Sequence, residues 1–314
     1  MSSAASAPRR PRPKRAEVGG GRVSDAPRDR SISYVRIRSP RGVWKTRAEC
    51  AALIEKGEAD FLLSGSGARH GVTGSGRGPI VRFCLAGRRA VGKRCLRGGL
   101  LGPLLGGLYL GEGRALRQVE AAARLQRAGV PTPDVLAAGS RRAACLFRAQ
   151  AVVTRELAGA QNLLDLAPIC ASRLRRRGLL LMCADLVRAM HQAGFLHADL
   201  NVSNLVLERG PDGEILNVLD LDGGRFVVEL STTDRFRNLA RLLRSYEKWI
   251  AERVRLTPRE EVLFLRRYCG HERDRLRELL GRLARYRARL TLRRISWRMS
   301  AGARSGGRSL RPRE

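Results

Sequence analysis

Between Phe195 and Leu207 the chain reads Phe-Leu-His197-Ala-Asp199-Leu-Asn201-Val-Ser-Asn204-Leu-Val-Leu, a polar cluster closed in by apolar runs on both sides. Upstream, Leu179, Met182, Cys183, Leu186, Val187 and Met190 recur at helical spacing, so a helix is expected over 177–193, with Gly194 ending it. Downstream, Gly210-Pro-Asp-Gly213 reads as a hairpin turn. The run after it, Ile215-Leu-Asn-Val-Leu-Asp220-Leu-Asp222-Gly-Gly, is a hydrophobic strand that ends in acids and glycines. This helix, loop and strand constrain the C-terminal half more than any other feature of the chain.

The loop matches the pattern H-x-D-L-x-x-x-N at every specified position. A phosphoryl acceptor hydroxyl needs a carboxylate to orient it and take its proton, which Asp199 would supply. The Asn204 amide, five residues on, can turn back to ligate Mg²⁺ beside the phosphates. His197 is expected to hold the loop rather than react. Sixteen residues after Asn204, Asp220 leaves the strand end where a second metal ligand would stand, with Asp222 as the alternative, because Asp-Leu-Asp-Gly can be registered either way.

Two β-like runs, Ile80 to Leu85 and Arg89 to Arg94, are separated by Ala-Gly and predict a hairpin. Lys93 near its end is placed to meet the α- and β-phosphates of ATP. The glycines Gly74, Gly76 and Gly78 before this hairpin are candidates for a loop over the phosphates. Gly113 to Ala128 carries Leu116, Val119 and Ala123 at helical spacing and stops at Gly129, Pro131 and Pro133. Glu120, on its otherwise apolar side, needs a cationic partner; Lys93 is the expected one, with Glu112 the alternative acid for that lysine. Gly87 to Lys93 also fits G-x-x-x-x-G-K, but Arg94 replaces the required Ser or Thr, and Gly98-Gly99 breaks the helix that should follow.

Elsewhere, a strand is expected over 32–37 and a helix over 47–63. Gly159-Ala-Gln-Asn162 reads as a connector, and Leu146 to Val153 as a strand. Helices are expected over 234–250, after the capping box Thr257-Pro-Arg-Glu260, and over 272–299.

Charge narrows the partners. The chain has 61 Lys+Arg against 29 Asp+Glu, a formal net charge of +32, so its partners are expected to be anionic. Part of the excess is a preference for Arg, since only Lys14, Lys45, Lys56, Lys93 and Lys248 are lysines. Residues 1–30 hold eight Lys/Arg, three acids and almost nothing apolar, which reads as a solvated tail. Aromatic residues make up only 5%, so no stacking platform for specific nucleic acid is evident. The most apolar stretch, Leu100 to Leu110, is eleven residues long, against the ~20 that span a bilayer. No secretory core follows the basic start. Seven scattered cysteines without C-x-x-C give no disulfide or zinc framework, and the compartment reads as cytoplasmic.

Taken together, these residues resemble the eukaryotic-protein-kinase-like fold and, more narrowly, the bacterial lipopolysaccharide kinase family, which includes the 3-deoxy-D-manno-octulosonic acid (Kdo) kinases. The points of similarity are Lys93-Arg-Cys-Leu-Arg97-Gly98-Gly99-Leu100, His197-Ala-Asp199-Leu-Asn201, Asp220-Leu-Asp222 and Asn238-Leu-Ala-Arg241-Leu-Leu-Arg244-Ser245, over roughly residues 70 to 250. Cys95 and Leu221 depart from the family's aromatic residues. The resemblance implies ATP- and Mg²⁺-dependent phosphorylation of a core sugar hydroxyl at the cytoplasmic face of the inner membrane. In that reading Asp199 is the base, Asn204 and Asp220 are the metal ligands, and Lys93 with Glu120 is the phosphate-positioning pair.

The expected fold class is α+β, with two lobes. A small antiparallel N-lobe sheet with one helix over 31–155 precedes a helical C-lobe over 156–300, between basic tails at 1–30 and 301–314. The expected partners are ATP, an anionic glycolipid acceptor built on lipid A and an anionic membrane surface, without specific nucleic acid. Asn201 and Ala198 stand where protein Ser/Thr kinases carry Lys and Arg, which favours a small-molecule or glycolipid acceptor over a protein. A basic RNA- or membrane-binding pseudokinase is the non-enzymatic alternative, and the complete Lys, Glu, Asp, Asn, Asp set argues against it.

Overall fold

A computed structural model of the chain describes residues 33–64, 80–96, 108–111, 113–144, 146–166, 172–211 and 213–305, with backbone alone beyond residue 289. The chain enters through β1 (Tyr34–Ser39) and β2 (Gly42–Arg47), an antiparallel hairpin. The helix expected over 47–63 is instead the end of β2, a 3₁₀ turn, α1 (Ala51–Glu55) and α2 (Asp60–Ser64). Gly57, at φ +87°, breaks what would otherwise be one helix. Asp60 starts α2 and is buried, and it knots the segment together. Its carboxylate accepts from Ser39 Oγ at 2.6 Å, from the Arg41 N–H at 2.9 Å and from Trp44 Nε1 at 3.0 Å.

The expected second hairpin is present as β3 (Ile80–Leu85) and β4 (Arg88–Arg94). β5 (Leu108–Leu110) leads to α3 (Gly113–Arg127), followed by β6 (Val135–Ala144) and β7 (Phe147–Arg155). These strands form an antiparallel seven-stranded sheet in the order β1-β2-β6-β7-β4-β3, with β5 also on β7.

Both faces of that sheet are covered. Ala151 and Val153 of β7 pack with Trp44, Ile54 and Leu63, whereas Val152 packs with Val119, Ala122 and Leu125 of α3. The period of two along a strand thus divides one apolar run between two cores. Such a run does not alternate in the sequence, because neither face meets water.

Beyond β7, β8 (Gln161–Asn162) lies in the stretch expected to be a mere connector. α4 (Arg173–Gln192) is capped by Ser172 and ended by Gly194 at φ +77°. A Cβ at Gly194 would sit 2.5 Å from the Val227 carbonyl oxygen, so the turn there needs glycine. β9 (Phe195–Leu196) follows, then a 3₁₀ turn over Val202–Asn204, β10 (Leu205–Gly210) and β11 (Gly213–Val218). β12 (Arg225–Phe226) pairs with β9, and β8 and β11 flank β10.

The remainder is helical: α5 (Thr232–Trp249), α6 (Pro258–Cys269) and α7 (Arg273–Ser305). The Thr257–Glu260 capping box forms in both directions, with Pro258 at the first helical position. Arg155 at the end of β7 bonds Glu208 of β10 at 2.7 Å and so ties the sheet to the helical part. The α+β class is as expected, with α1 and α2 added to the one helix expected beside the N-terminal sheet. No helix among the described residues is long and apolar enough to cross a membrane.

Candidate active site

The loop after β9 is built on His197. Its ring is fully buried, with Nε2 at 2.9 Å from the Leu219 carbonyl and Nδ1 at 3.1 Å from the Asp199 N–H. One nitrogen faces an acceptor and the other a donor, so the neutral tautomer with a proton on Nε2 satisfies both. Burial holds the His197 pKa below the ordinary imidazole value, against the raising effect of the Leu219 hydrogen bond. The ring therefore joins residue 199 to the backbone just before Asp220, the holding role expected from the sequence.

Behind it stands a second buried relay. Asn238 of α5 donates to the His197 carbonyl at 2.7 Å, and its Oδ1 accepts from the His197 N–H at 3.2 Å. The same oxygen meets His191 Nε2 at 3.1 Å, and His191 Nδ1 lies 2.7 Å from the Tyr268 hydroxyl. Within the loop, Asn201 Oδ1 accepts from the N–H groups of Ser203 and Asn204 at 3.0 Å and caps the 3₁₀ turn. Asn201 Nδ2 donates to Asp199 Oδ2 at 3.1 Å, and Asn204 Nδ2 donates to the Asp199 carbonyl at 2.9 Å. Asp199 is exposed. Its carboxylate is held at one oxygen and can accept a proton at the other.

Asp220 adopts φ +55°, a left-handed conformation uncommon for a non-glycine residue, and its side chain is 43% exposed. Its Oδ1 lies 2.7 Å from Lys93 Nζ, which brings the end of β4 onto the end of β11. Asp222 faces another cation, since Arg114 in the first turn of α3 bonds both of its oxygens. Of the two acids in Asp-Leu-Asp-Gly, Asp220 thus meets the predicted lysine, and Asp222 meets Arg114 at the start of α3.

The Lys93–Glu120 pair expected from the sequence does not form. Glu120 is exposed and bonds Lys45 Nζ of β2 at 3.1 Å. The reason is topological, because β2 lies against β6 beneath α3 and offers a nearer cation, while Lys93 is taken by Asp220. Gly74, Gly76 and Gly78, like Arg97 to Leu100 and Glu112, lie outside the described residues.

A family model for the lipopolysaccharide kinase (Kdo/WaaP) family matches residues 73–268, more than half of the chain. The chain belongs to this family. It is 32% identical to a 3-deoxy-D-manno-octulosonic acid kinase of Stenotrophomonas maltophilia over 222 residues, covering 68% of this chain and 85% of that protein. It is 29% identical to the corresponding kinase of Vibrio parahaemolyticus over 188 residues, covering 58% and 75% respectively. Among solved structures it is similar to WaaP in complex with acyl carrier protein, with a TM-score of 0.53 and 25% identity over 76% of this chain and 95% of that one. The chain has a kinase-like fold and is a phosphotransferase that acts on a sugar hydroxyl.

Asp220 and Asn204 supply a carboxylate and an amide oxygen, the hard donors that Mg²⁺ prefers. Among the described residues Asn204 Oδ1 takes no hydrogen bond, and no three His, Cys, Asp or Glu are grouped to hold a metal. Such a donor pair suits an ion that is also held by substrate phosphates.

Several residues around this candidate site carry no signal in the sequence. Gln150 of β7 is buried and accepts from the Ala115 N–H at 2.8 Å while donating to the Gly111 carbonyl at 2.8 Å. It thereby sets the start of α3 and the position of Arg114. Cys95 lies beside this junction, and burial pushes its thiol up to about 12, with the Asp222 charge adding to the effect. Arg114 is one of many arginines, and only its distance from Asp222 distinguishes it.

Proposed function

We propose that this kinase transfers the γ-phosphate of ATP, with Mg²⁺, to a hydroxyl of the lipopolysaccharide core, the acceptor being Kdo on lipid A. The observation that carries the reading is the convergence of three groups. Lys93 rests on Asp220, and His197 ties that acid's backbone to Asp199. In this reading Asp199 orients the acceptor hydroxyl and takes its proton, while the oxygen forms a bond to the γ-phosphorus and ADP leaves with the broken P–O bond's electrons. Lys93 holds phosphate oxygens, and Asn204 and Asp220 hold the metal. The bound metal would offset the charge that develops on the phosphates. Gly74, Gly76 and Gly78 would close over the nucleotide.

The lobes divide at 155/156 in this proposal, with nucleotide on the sheet side and acceptor on the helical side. The enzyme would work at the cytoplasmic face of the inner membrane. The test is transfer of labelled γ-phosphate from Mg²⁺-ATP to Kdo-lipid A, a generic protein and an aminoglycoside. Labelling of the glycolipid alone is expected, with kcat reduced on the order of 10²–10⁴-fold in Asp199→Ala. Label on protein, or full activity of that variant, overturns the reading.

A further inference from the structure

A cleft of about 330 Å³ opens beside the catalytic loop, between β9, β12 and α5. Its lining includes His197, Ala198 and Gly223, with Arg225, Arg237 and Arg241 converging on it. Asp234 is the acid among them, and it is engaged by the Ser231 hydroxyl at 2.7 Å and by Arg237 at 3.5 Å. Neither Arg225 nor Arg241 has an ion-pair partner among the described residues, and both are exposed. His197 adds no charge, being held neutral by its two hydrogen bonds. The cleft thus presents two uncommitted guanidinium forks.

Its floor is kept open by small residues. A Cβ built at Gly223, φ +69°, would lie 3.3 Å from the Ala198 Cβ, so neither position has room for a longer side chain without filling the cleft. Ala198 directly precedes Asp199, at a Cα spacing of about 3.8 Å. The lining of the cleft therefore runs up to the residue next to Asp199. None of the lining residues belongs to the N-terminal sheet that carries Lys93. The cleft is therefore distinct from the site proposed for the nucleotide phosphates.

Resting on the kinase reading above, we propose that this cleft binds the carboxylate of the acceptor sugar acid. Arg225 and Arg241 hold it and present the neighbouring hydroxyl to Asp199. A planar carboxylate accepts two parallel N–H bonds from a guanidinium, and the fork fixes its orientation as well as its position. The acceptor's acid group then acts as a specificity handle, and a neutral sugar forgoes these charge-assisted bonds.

The experiment compares Kdo-lipid A with the same glycolipid after its sugar carboxylates are converted to amides. Equilibrium binding and initial rates are measured on the full chain and on Arg225→Ala/Arg241→Ala. Wild type is expected to prefer the carboxylate form about tenfold or more in both readouts, the effect falling on KM rather than kcat, and the double variant to lose that preference. Arg225→Lys/Arg241→Lys keeps the charge without the fork and should retain part of it. Equal handling of both glycolipids by wild type, or an intact preference in the alanine variant, overturns the proposal. Preferential binding lost in the variant, with no phosphoryl transfer by wild type, supports the cleft and overturns the kinase reading instead.

Discussion

At the scale of single residues, the site is governed by two histidines that never need to carry charge. His191 and His197 are both buried, and each has one nitrogen against a donor and one against an acceptor. Protonation would set a new N–H against the Tyr268 hydroxyl or the Asp199 N–H. Burial pushes the His191 pKa down to about 4, against the opposing Asn238 hydrogen bond, and lowers that of His197 as well. In the unfolded chain both take a proton near pH 6.5. Below that value the unfolded state binds more protons than the folded one, so stability is complete above pH 6.5 and declines as pH falls towards 4. Urea unfolding between pH 7 and 4 should show a loss of about 3 kcal/mol attributable to His191, flattened in His191→Asn. An unaltered slope in that variant would contradict the relay. His197 itself was legible from its motif; the relay behind it was not, because Asn238 and Tyr268 lie 41 and 77 residues from their partners.

Among the elements, the N-terminal hairpin contributes a part that periodicity could not reveal. β2 places Trp44 face-on to β6 at Gly139, and a Cβ built there would run into the indole ring. Gly139→Ala should therefore cost about 1–3 kcal/mol through overpacking. Chemical denaturation measures this, and a neutral result would mean that Trp44 can move aside. The segment over 47–63 looked like one helix because Ala51, Ile54 and Glu58 step round a face. Gly57 and the buried Asp60 divide it, and Asp60 is drawn inward by hydrogen bonds that no local pattern reports. The strand pair β3–β4, the helix α3 and the capped α6 were legible, since each carries its own start or stop signal in adjacent residues.

A formal net charge of +32 offers an anionic bilayer many contacts, each basic group near the surface adding on the order of 1 kcal/mol. If the enzyme works on the cytoplasmic leaflet as proposed, it should sediment with vesicles containing anionic lipid and leave them in ~1 M salt. Retention in high salt would count against electrostatic docking. Legible in the sequence alone were the His197–Asn204 loop, the acid just beyond β11, the lysine near the end of β4 and the alternation of elements around them. All of these rest on neighbours within a few residues, where spacing and chemistry are read directly. Long-range packing alone sets Asp220 rather than Asp222 against Lys93, turns Glu120 to Lys45, and brings Arg225 and Arg241 to one cleft. With 61 basic side chains, any acid has many possible partners in the sequence, and only the packing of strands and helices brings one of them within bonding distance.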